Sequence, residues 1–390
     1  MSSKPPLKPL DLLDIDHLLS DEERQIRNLA REWVTDRILP EVEDWFERGE
    51  IPARELAKEL GKLGFLGMQL PDIGGLGAVA YGLVELELEA GDSGLRSFVS
   101  VQSALAMFAI HAFGSAEQKA EWLPPMTTGD AIGCFGLSEP DAGSDPGSMR
   151  TFARRDGDDW VLSGTKMWIT NGSVSDVAIV WAHTDEGIRG FVVPCASPGF
   201  SAPDIHKKLS LRASVTSELV MDEVRLPAGA VLPGAEGLKG PLSCLNEARF
   251  GIVWGVMGAA RACLSTAIDY AQTRIQFAKP IGSFQLTQKK LADMSLEMEK
   301  GTLLAYHLGR MKEEGRLRPQ HVSIGKLNNT REALKIARTS RGILGANGIT
   351  LEYPIMRHMT NLESVITYEG TEEVHTLVIG ETLTGLRAFA

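Results

Sequence analysis

Three apolar-periodic stretches, near residues 242–275, 285–314 and 320–343, constrain this chain more than any other feature. Each runs for roughly 25 to 33 residues, about twice the length of an average globular helix. Helices that long bury their apolar faces against one another, so the C-terminal part predicts a helical bundle. Gly345, Asn347 and Gly348 break the third stretch. The run Gly251 to Ala260, "GIVWGVMGAA", lies inside the first, and its small residues predict close packing on a neighbouring helix. It is too short to cross a bilayer.

Upstream the texture differs. Residues from about 20 to 130 read as helical. Ser20 and Glu23 form a capping box ahead of Ile26, Leu29, Ala30, Trp33 and Ile38, and Pro40 stops that helix. "ARELAKELGKLGFLG" predicts another, ended by glycine. Between about 132 and 238, short stretches rich in Val, Ile, Thr and Trp ("WVLSG", "KMWIT", "VAIVWA", "GFVVP", "ELVMDEVRL") are separated by Asp156-Gly157, Ser163-Gly164 and Asn171-Gly172. They predict an antiparallel β domain, a barrel or a sandwich. The expected organisation is an α-helical domain over 1–131, a β domain over 132–238 and a helical bundle over 239–390. The fold class is mostly α with a central β domain.

A chain of 390 residues with 43% hydrophobic content supports a large core. Its net charge of −11 argues against a nucleic-acid partner. Cys134, Cys195, Cys244 and Cys263 have no CxxC spacing, so they predict reduced thiols and no metal site. With no signal-peptide or transit-peptide pattern at the N-terminus, the expected compartment is the cytoplasm.

Several stretches carry possible chemistry. "GGLGAVA" at 74–80 loosely fits a dinucleotide-binding phrase, but no strand precedes it, so it predicts a surface loop. "GCFGLSEPDAGSD" at 133–145 offers small polar residues and exposed amides to a polar ligand, or is a linker. "KMWITNG" at 166–172 is a hairpin end, or it shields a flat cofactor with Trp168. Arg274, Phe277 and Gln285 lie on a Pro/Gly-interrupted segment suited either to phosphate and ring contacts or to an interhelix loop. Arg96 and Ser100 share a helix face in an apolar stretch. Arg96 could grip a carboxylate or pair with Glu89. In "ITYEGTEEVH", Glu369 is either a helix-start acid, a role open also to Glu372 and Glu373, or a desolvated base.

Taken in order, "CFGLSEPDAGSD", "KMWITNG", "AQTRIQFAKPIGSFQ", "LGANGI" and "TYEGTEEVH" resemble the acyl-CoA dehydrogenase flavoenzymes over essentially the whole chain. The resemblance implies an N-terminal α-domain, a middle β-barrel-like domain and a C-terminal four-helix bundle. It implies FAD as cofactor, a homotetramer, and an electron-transfer flavoprotein as acceptor. Phe135, Leu137, Ser138, Ser144, Trp168, Ile169 and Thr170 match flavin contacts, through backbone and side chains. Arg274, Phe277, Gln285 and the turn Leu344, Gly345, Asn347, Gly348 match contacts to the FAD of a neighbouring subunit, with Thr371 and Glu373 as further ones. Ser144 and Arg249 match substrate positions.

Glu369 matches the family's catalytic base. It would take the α-proton while hydride leaves the β-carbon for flavin N5, its own N–H helping to bind the enolate oxygen. In some branches the base stands before the arginine of the "EAR" segment. Here that position is Ala248, which carries no proton acceptor. The glutaryl-CoA dehydrogenases are the branch most resembled, through "DSGLRSFVSVQSAL", "CLNEARFGIVWGVMGA", "LTQKKLADM" and "NLESVITYEGTEEVH". That implies glutaryl-CoA as substrate, with Arg96 pairing its far carboxylate and Glu89, Ser100, Tyr368 and Gly370 nearby. It implies decarboxylation to crotonyl-CoA and CO2. Leu95, where this branch commonly has an aromatic, and the acidic pair Glu372-Glu373 depart from its pattern. The alternatives are a short-chain monocarboxylic acyl-CoA dehydrogenase, a non-decarboxylating glutaryl-CoA dehydrogenase, an oxidase, or a DNA-binding relative.

Overall fold

The computed structural model describes residues 7–389. Its helices are α1 (Asp21–Trp33), α2 (Val42–Arg48), α3 (Ala53–Lys62), α4 (Ala78–Gly91), α5 (Ser93–Ser100), α6 (Phe108–Phe113), α7 (Ala116–Thr128), α8 (Lys239–Thr273), α9 (Gln285–Glu313), α10 (Pro319–Leu344), α11 (Ile355–Val365) and α12 (Glu372–Thr384). The strands are β1 (Gly133–Gly136), β2 (Phe152–Asp156), β3 (Asp159–Thr170), β4 (Val177–Thr184), β5 (Gly187–Pro194), β6 (Phe200–Ser201) and β7 (Thr216–Leu226). The fold is mostly α with a central β part. The three long predicted helices are α8, α9 and α10, and Gly345, at φ +60°, ends the last.

Spatial contacts group the chain into two compact units. One comprises the chain up to Asp44, Gly77–Arg96 and everything from Arg249; the other comprises Trp45–Leu76 and Ser97–Ala248.

In the first unit, α1 packs on α4, α4 on α9, and α10 on α9, α11 and α12. Ser20 caps α1 reciprocally with Glu23, whose carboxylate also pairs with Arg310 of α9 at 2.7 Å. Glycines 251, 255 and 258 of α8 form the surface on which α4 rests. A Cβ at Gly258 would lie inside the Leu86 carbonyl oxygen, and one at Gly255 inside the Glu89 carboxyl. The two backbones therefore meet at glycine-only distance, and the acids of α4 are carried into the helix interface. Glu87 is held there by Arg31 and Arg261. Burial opposes its charge, but the Arg261 and Arg31 contacts outweigh that and bring its pKa down to about 2. By length and hydropathy alone Ser93–Phe113 and Lys239–Thr273 could each cross a bilayer, the second containing the short run Gly251–Ala260. Of their apolar windows, 94% and 72% are buried inside the protein, which accounts for the apolarity.

The second unit holds one seven-stranded sheet in the order β1-β4-β2-β3-β7-β6, with β5 added on β4. The purely antiparallel expectation is corrected: β1 runs parallel to β4, and β2 touches β4 through one parallel bridge. Alternation of apolar residues encodes which face is buried, not strand direction. Asp156-Gly157 does make the β2–β3 hairpin. Ser163-Gly164 is not a turn but lies inside β3, where Gly164 (φ +144°) stands at a register shift. Asn171-Gly172 leads into a 3-10 turn, and the following strand pairs with β1 and β5.

Candidate active site

In the first unit the turn between α11 and α12 gathers six of the predicted substrate-site and catalytic residues. The helix-start reading of Glu369 is settled by α12 itself. Thr371 is its N-cap, accepting from the Val374 N–H at 3.3 Å, and Glu372 and Glu373 fill the first turn. Glu372 also pairs with Arg331 at 2.5 Å. Glu369 stands two residues ahead of the cap. It adopts φ +53°, a left-handed conformation uncommon outside glycine, and Gly370 follows at φ +97°.

Cations surround this turn, Lys326 buried and Arg249 half-buried. Lys326 of α10 donates to the carbonyl oxygens of Tyr368 and Gly370, each at 2.6 Å. Arg249 of α8 donates through Nε to the Glu369 carbonyl oxygen at 2.6 Å. The Glu369 N–H enters no backbone hydrogen bond among the described residues. Its Oε2 is shut off from solvent with no hydrogen-bond partner among the described residues. Burial raises the Glu369 pKa, while Arg96, Lys326 and Arg249 pull it back down. A carboxyl so placed is a proton acceptor whose basicity is increased by desolvation and moderated by cations.

Arg96 of α5 has no exposed surface. Its Nε binds Glu89 Oε2 at 2.8 Å and lies 4.0 Å from Glu85 Oε2, and its Nη2 donates to the Tyr368 hydroxyl. Its Nη1 is buried with no partner among the described residues. The structural pair with Glu89 is therefore present, and one guanidinium nitrogen is left over from it. Glu89 and Glu85 lie four residues apart on α4, on the face that meets the α8 glycines. Burial pushes the Glu85 carboxyl up to about 8, against the opposing pull of Arg96.

Ser100 ends α5, fully buried, with an unpartnered hydroxyl, and groups with the second unit. Ser144 is exposed on the bend before the Pro146–Ser148 turn. Sequence reasoning missed Lys326, Glu85 and His375. His375 of α12 is 1% exposed, contacts Ser323 Oγ at 3.1 Å through Nδ1, and is pushed by burial down to about 3. For Glu85 a signal existed, since "VELELEAG" places Glu85 and Glu89 on one helix face of an apolar segment. Lys326 carries no such signal.

In the second unit, β3 has a bulge between Lys166 and Ile169. Trp168 sits in it at φ +64° with its side chain turned out, 61% exposed. A bulge re-aims a side chain this way. Lys166, buried beside it, pairs with Glu139 at 2.7 Å and donates to the Leu137 carbonyl at 3.1 Å, and so anchors the strand. Ser138 and Thr170 are partly exposed, whereas the side chains of Phe135, Leu137 and Ile169 are in the core.

The remaining predicted cofactor positions lie in the first unit. Arg274, Phe277 and Gln285 flank the two-stranded ribbon Ile275–Gln276 with Lys279–Pro280; all three are exposed, Phe277 at 88% and φ +51°. Leu344 is buried, Asn347 reaches the Tyr270 hydroxyl at 3.1 Å, and a Cβ at Gly348 would overlap the Arg341 carbonyl. Thr371 is the α12 cap, and Glu373 is exposed.

Three family models match in succession: the acyl-CoA dehydrogenase N-terminal domain over residues 20–130, the middle domain over 134–224 and the C-terminal domain over 235–384. The mitochondrial short-chain specific acyl-CoA dehydrogenase of Bos taurus is 35% identical over 371 residues, 93% of this chain and 90% of that one. A crystal structure of glutaryl-CoA dehydrogenase from Mycobacterium smegmatis is 66% identical, with TM-score 0.97, covering 99% of this chain and 100% of that one. A glutaryl-CoA dehydrogenase from the same organism in complex with FADH2 is 62% identical, with TM-score 0.97 and the same coverage. A buried carboxyl ringed by cations, on a scaffold that these models and relatives match almost from end to end, belongs to a known lineage: this chain is a member of the acyl-CoA dehydrogenase family of oxidoreductases.

Proposed function

We propose that this protein is an FAD-dependent glutaryl-CoA dehydrogenase that also decarboxylates its product, yielding crotonyl-CoA and CO2. The observation that carries the reading is the unpartnered Nη1 of Arg96, buried in the same cluster as the unpartnered Oε2 of Glu369. A buried guanidinium donor without an acceptor is costly, and the far carboxylate of a dicarboxylic monothioester supplies one. The 66% identity to a glutaryl-CoA dehydrogenase supports the same substrate.

Glu369 takes the α-proton, and its own N–H, outside the backbone network, donates to the thioester oxygen as enolate charge develops. Arg96 holds the far carboxylate, Glu89 fixes the guanidinium, and Tyr368 fixes its second nitrogen. Loss of CO2 from the unsaturated product puts the electrons of the broken C–C bond into a dienolate. Glu369, protonated in the first step, returns a proton to the γ-carbon.

The residues present fit FAD. The Trp168 indole is turned outward by the β3 bulge, Thr170 ends β3, and Ser138, in the loop after β1, accepts at its carbonyl from the Met167 N–H of β3. With the backbones of Phe135, Leu137 and Ile169 they would hold the isoalloxazine. Arg274, Phe277, Gln285, Thr371, Glu373 and the 344–348 turn would meet FAD within a homotetramer. When bound, FAD supplies the acceptor for the hydride that leaves the β-carbon. An electron-transfer flavoprotein is the proposed acceptor of the electrons, and the cytoplasm the proposed compartment.

The test is an anaerobic titration of the yellow protein with glutaryl-CoA and, separately, butyryl-CoA, followed by product mass analysis with an artificial acceptor. Flavin bleaching by glutaryl-CoA with crotonyl-CoA and CO2 as products is the expected result. Glutaconyl-CoA as end product removes decarboxylation. A preference for butyryl-CoA, the outcome favoured by the short-chain relatives, removes the role of Arg96.

A further inference from the structure

Lys326 is 1% exposed, and no carboxylate lies within ion-pair distance of its Nζ among the described residues. A buried ammonium is ordinarily paired with an acid or neutralised. This one directs its two hydrogen bonds at backbone instead, to the carbonyls of Tyr368 and Gly370. With half-buried Arg249 on the carbonyl between them, three consecutive carbonyl oxygens each accept from a cationic side chain. The segment they hold contains two successive left-handed residues, one of them not glycine. Such a conformation persists only where the surroundings over-determine it.

We propose that Lys326 is a positioning residue for Glu369: it clamps the turn on both sides of the base and supplies a cation that favours the ionised carboxylate. The proposal rests on the reading of Glu369 as base. The groups facing Glu369 are Arg96 from α5, Arg249 from α8, Lys326 from α10, Glu89 and Glu85 from α4, and His375 from α12. Among these cations Arg96 is tied to Glu89 and Tyr368. Arg249 has one carbonyl of the turn, and Lys326 spans the base. Burial lowers the Lys326 pKa to about 7, with Glu369 opposing that fall. The two groups therefore stabilise each other's charged forms, in keeping with the clamp geometry.

The test compares K326M, K326Q, K326R and E369Q as flavin-loaded enzymes. Methionine removes donors and charge, glutamine keeps donors without charge, and arginine keeps charge. In K326M, kcat falls about 100-fold through lost orientation. The acid limb of its kcat–pH profile moves up by about one pH unit, because a lost cation raises the pKa of a carboxyl. K326Q retains more of kcat than K326M yet shows the same displaced limb, and K326R keeps the limb in place. Infrared difference spectra give a readout independent of turnover. The carboxylic-acid band absent from E369Q disappears at higher pH in K326M than in the parent. An unchanged kcat and limb in K326M overturn the proposal. So does a fall in kcat and melting temperature with the limb and the infrared titration unmoved, which is a structural role only. Full turnover in E369Q removes the base reading itself. An inactive E369Q beside an unaffected K326M removes only the role of Lys326.

Discussion

Arg96 Nε lies 2.8 Å from Glu89 Oε2, and neither side chain is exposed to solvent at all. The pair spans two helices: Glu89 projects from α4 against the α8 glycines, and Arg96 from the first turns of α5. Because Nε is spent on Glu89 and Nη2 on Tyr368, the direction of the remaining Nη1 is fixed before any ligand arrives. Preorganisation of this kind converts a cation into a selector.

Replacing Arg96 by Lys tests that selection. Lysine keeps the charge but loses the planar fork, so it cannot satisfy Glu89, Tyr368 and a ligand together. R96K is expected to lose about 10² in kcat/KM for glutaryl-CoA, equivalent to the roughly 3 kcal/mol of a charge-assisted hydrogen bond. Its kcat/KM for butyryl-CoA changes less than tenfold. Equal losses on both substrates would sink the selector role and leave Arg96 as a purely structural ion.

Glu369→Gln removes the proton acceptor and keeps the shape. General acid–base contributions of about 10²–10⁴ set the expected fall in kcat. Stability is expected to hold or rise, because Glu369 Oε2 has no partner to lose and burial already disfavours the charge. Stopped-flow flavin reduction and a melting curve on the same preparation check both halves. Rapid reduction in E369Q would place the base elsewhere.

Much of this was legible in the sequence, for identifiable reasons. Helices α8, α9 and α10 are long and periodic, and the Ser20–Glu23 box and the glycine after Leu344 act locally, so their bounds follow from short-range chemistry. Strand direction in the sheet did not follow, since β1 and β4 are joined side by side only through a distant loop and hairpin. At the site, Glu369 and Arg96 stood out because each is a charge in an apolar setting. Lys326 did not, because its partners are backbone carbonyls more than forty residues away, and a backbone acceptor leaves no mark in sequence. The interleaving of segments into two units is likewise a long-range property.

Gly258 makes a stability prediction that separates two opposed effects. In a free helix Gly→Ala gains about 0.5–1 kcal/mol. At Gly258 the new Cβ would occupy the space of the Leu86 carbonyl oxygen, which is backbone and cannot swing aside. Overpacking of about 1–3 kcal/mol then dominates. G258A is expected to melt about 2 °C lower than the parent, whereas alanine at Gly342 of α10, where a Cβ meets nothing within 4 Å, melts no lower. A G258A protein as stable as the parent would mean that α4 and α8 can separate without cost.

Glu85 gives a pH dependence whose sign is fixed. Its carboxyl titrates near 4.5 in an unfolded chain and is pushed up to about 8 here, by burial first and by Glu89 and Glu369 in addition, against Arg96 and a hydrogen bond from Tyr81. Between those values the folded protein binds the proton that the unfolded chain releases. The contribution of Glu85 to stability is therefore whole below pH 4.5 and is lost progressively as pH rises to about 8. Glutamine mimics the protonated carboxyl at every pH. E85Q and the parent should unfold alike in denaturant near pH 4.5. By pH 8 E85Q should be the more stable by on the order of a few kcal/mol, with no further gain above that. Because the charge that forms on Glu85 would face Arg96, the parent's KM for glutaryl-CoA should also climb above pH 8 while that of E85Q stays level. A stability difference between the two proteins that is flat from pH 5 to 9 would mean that Glu85 is ionised throughout, and that Arg96 already carries two carboxylates before substrate binds.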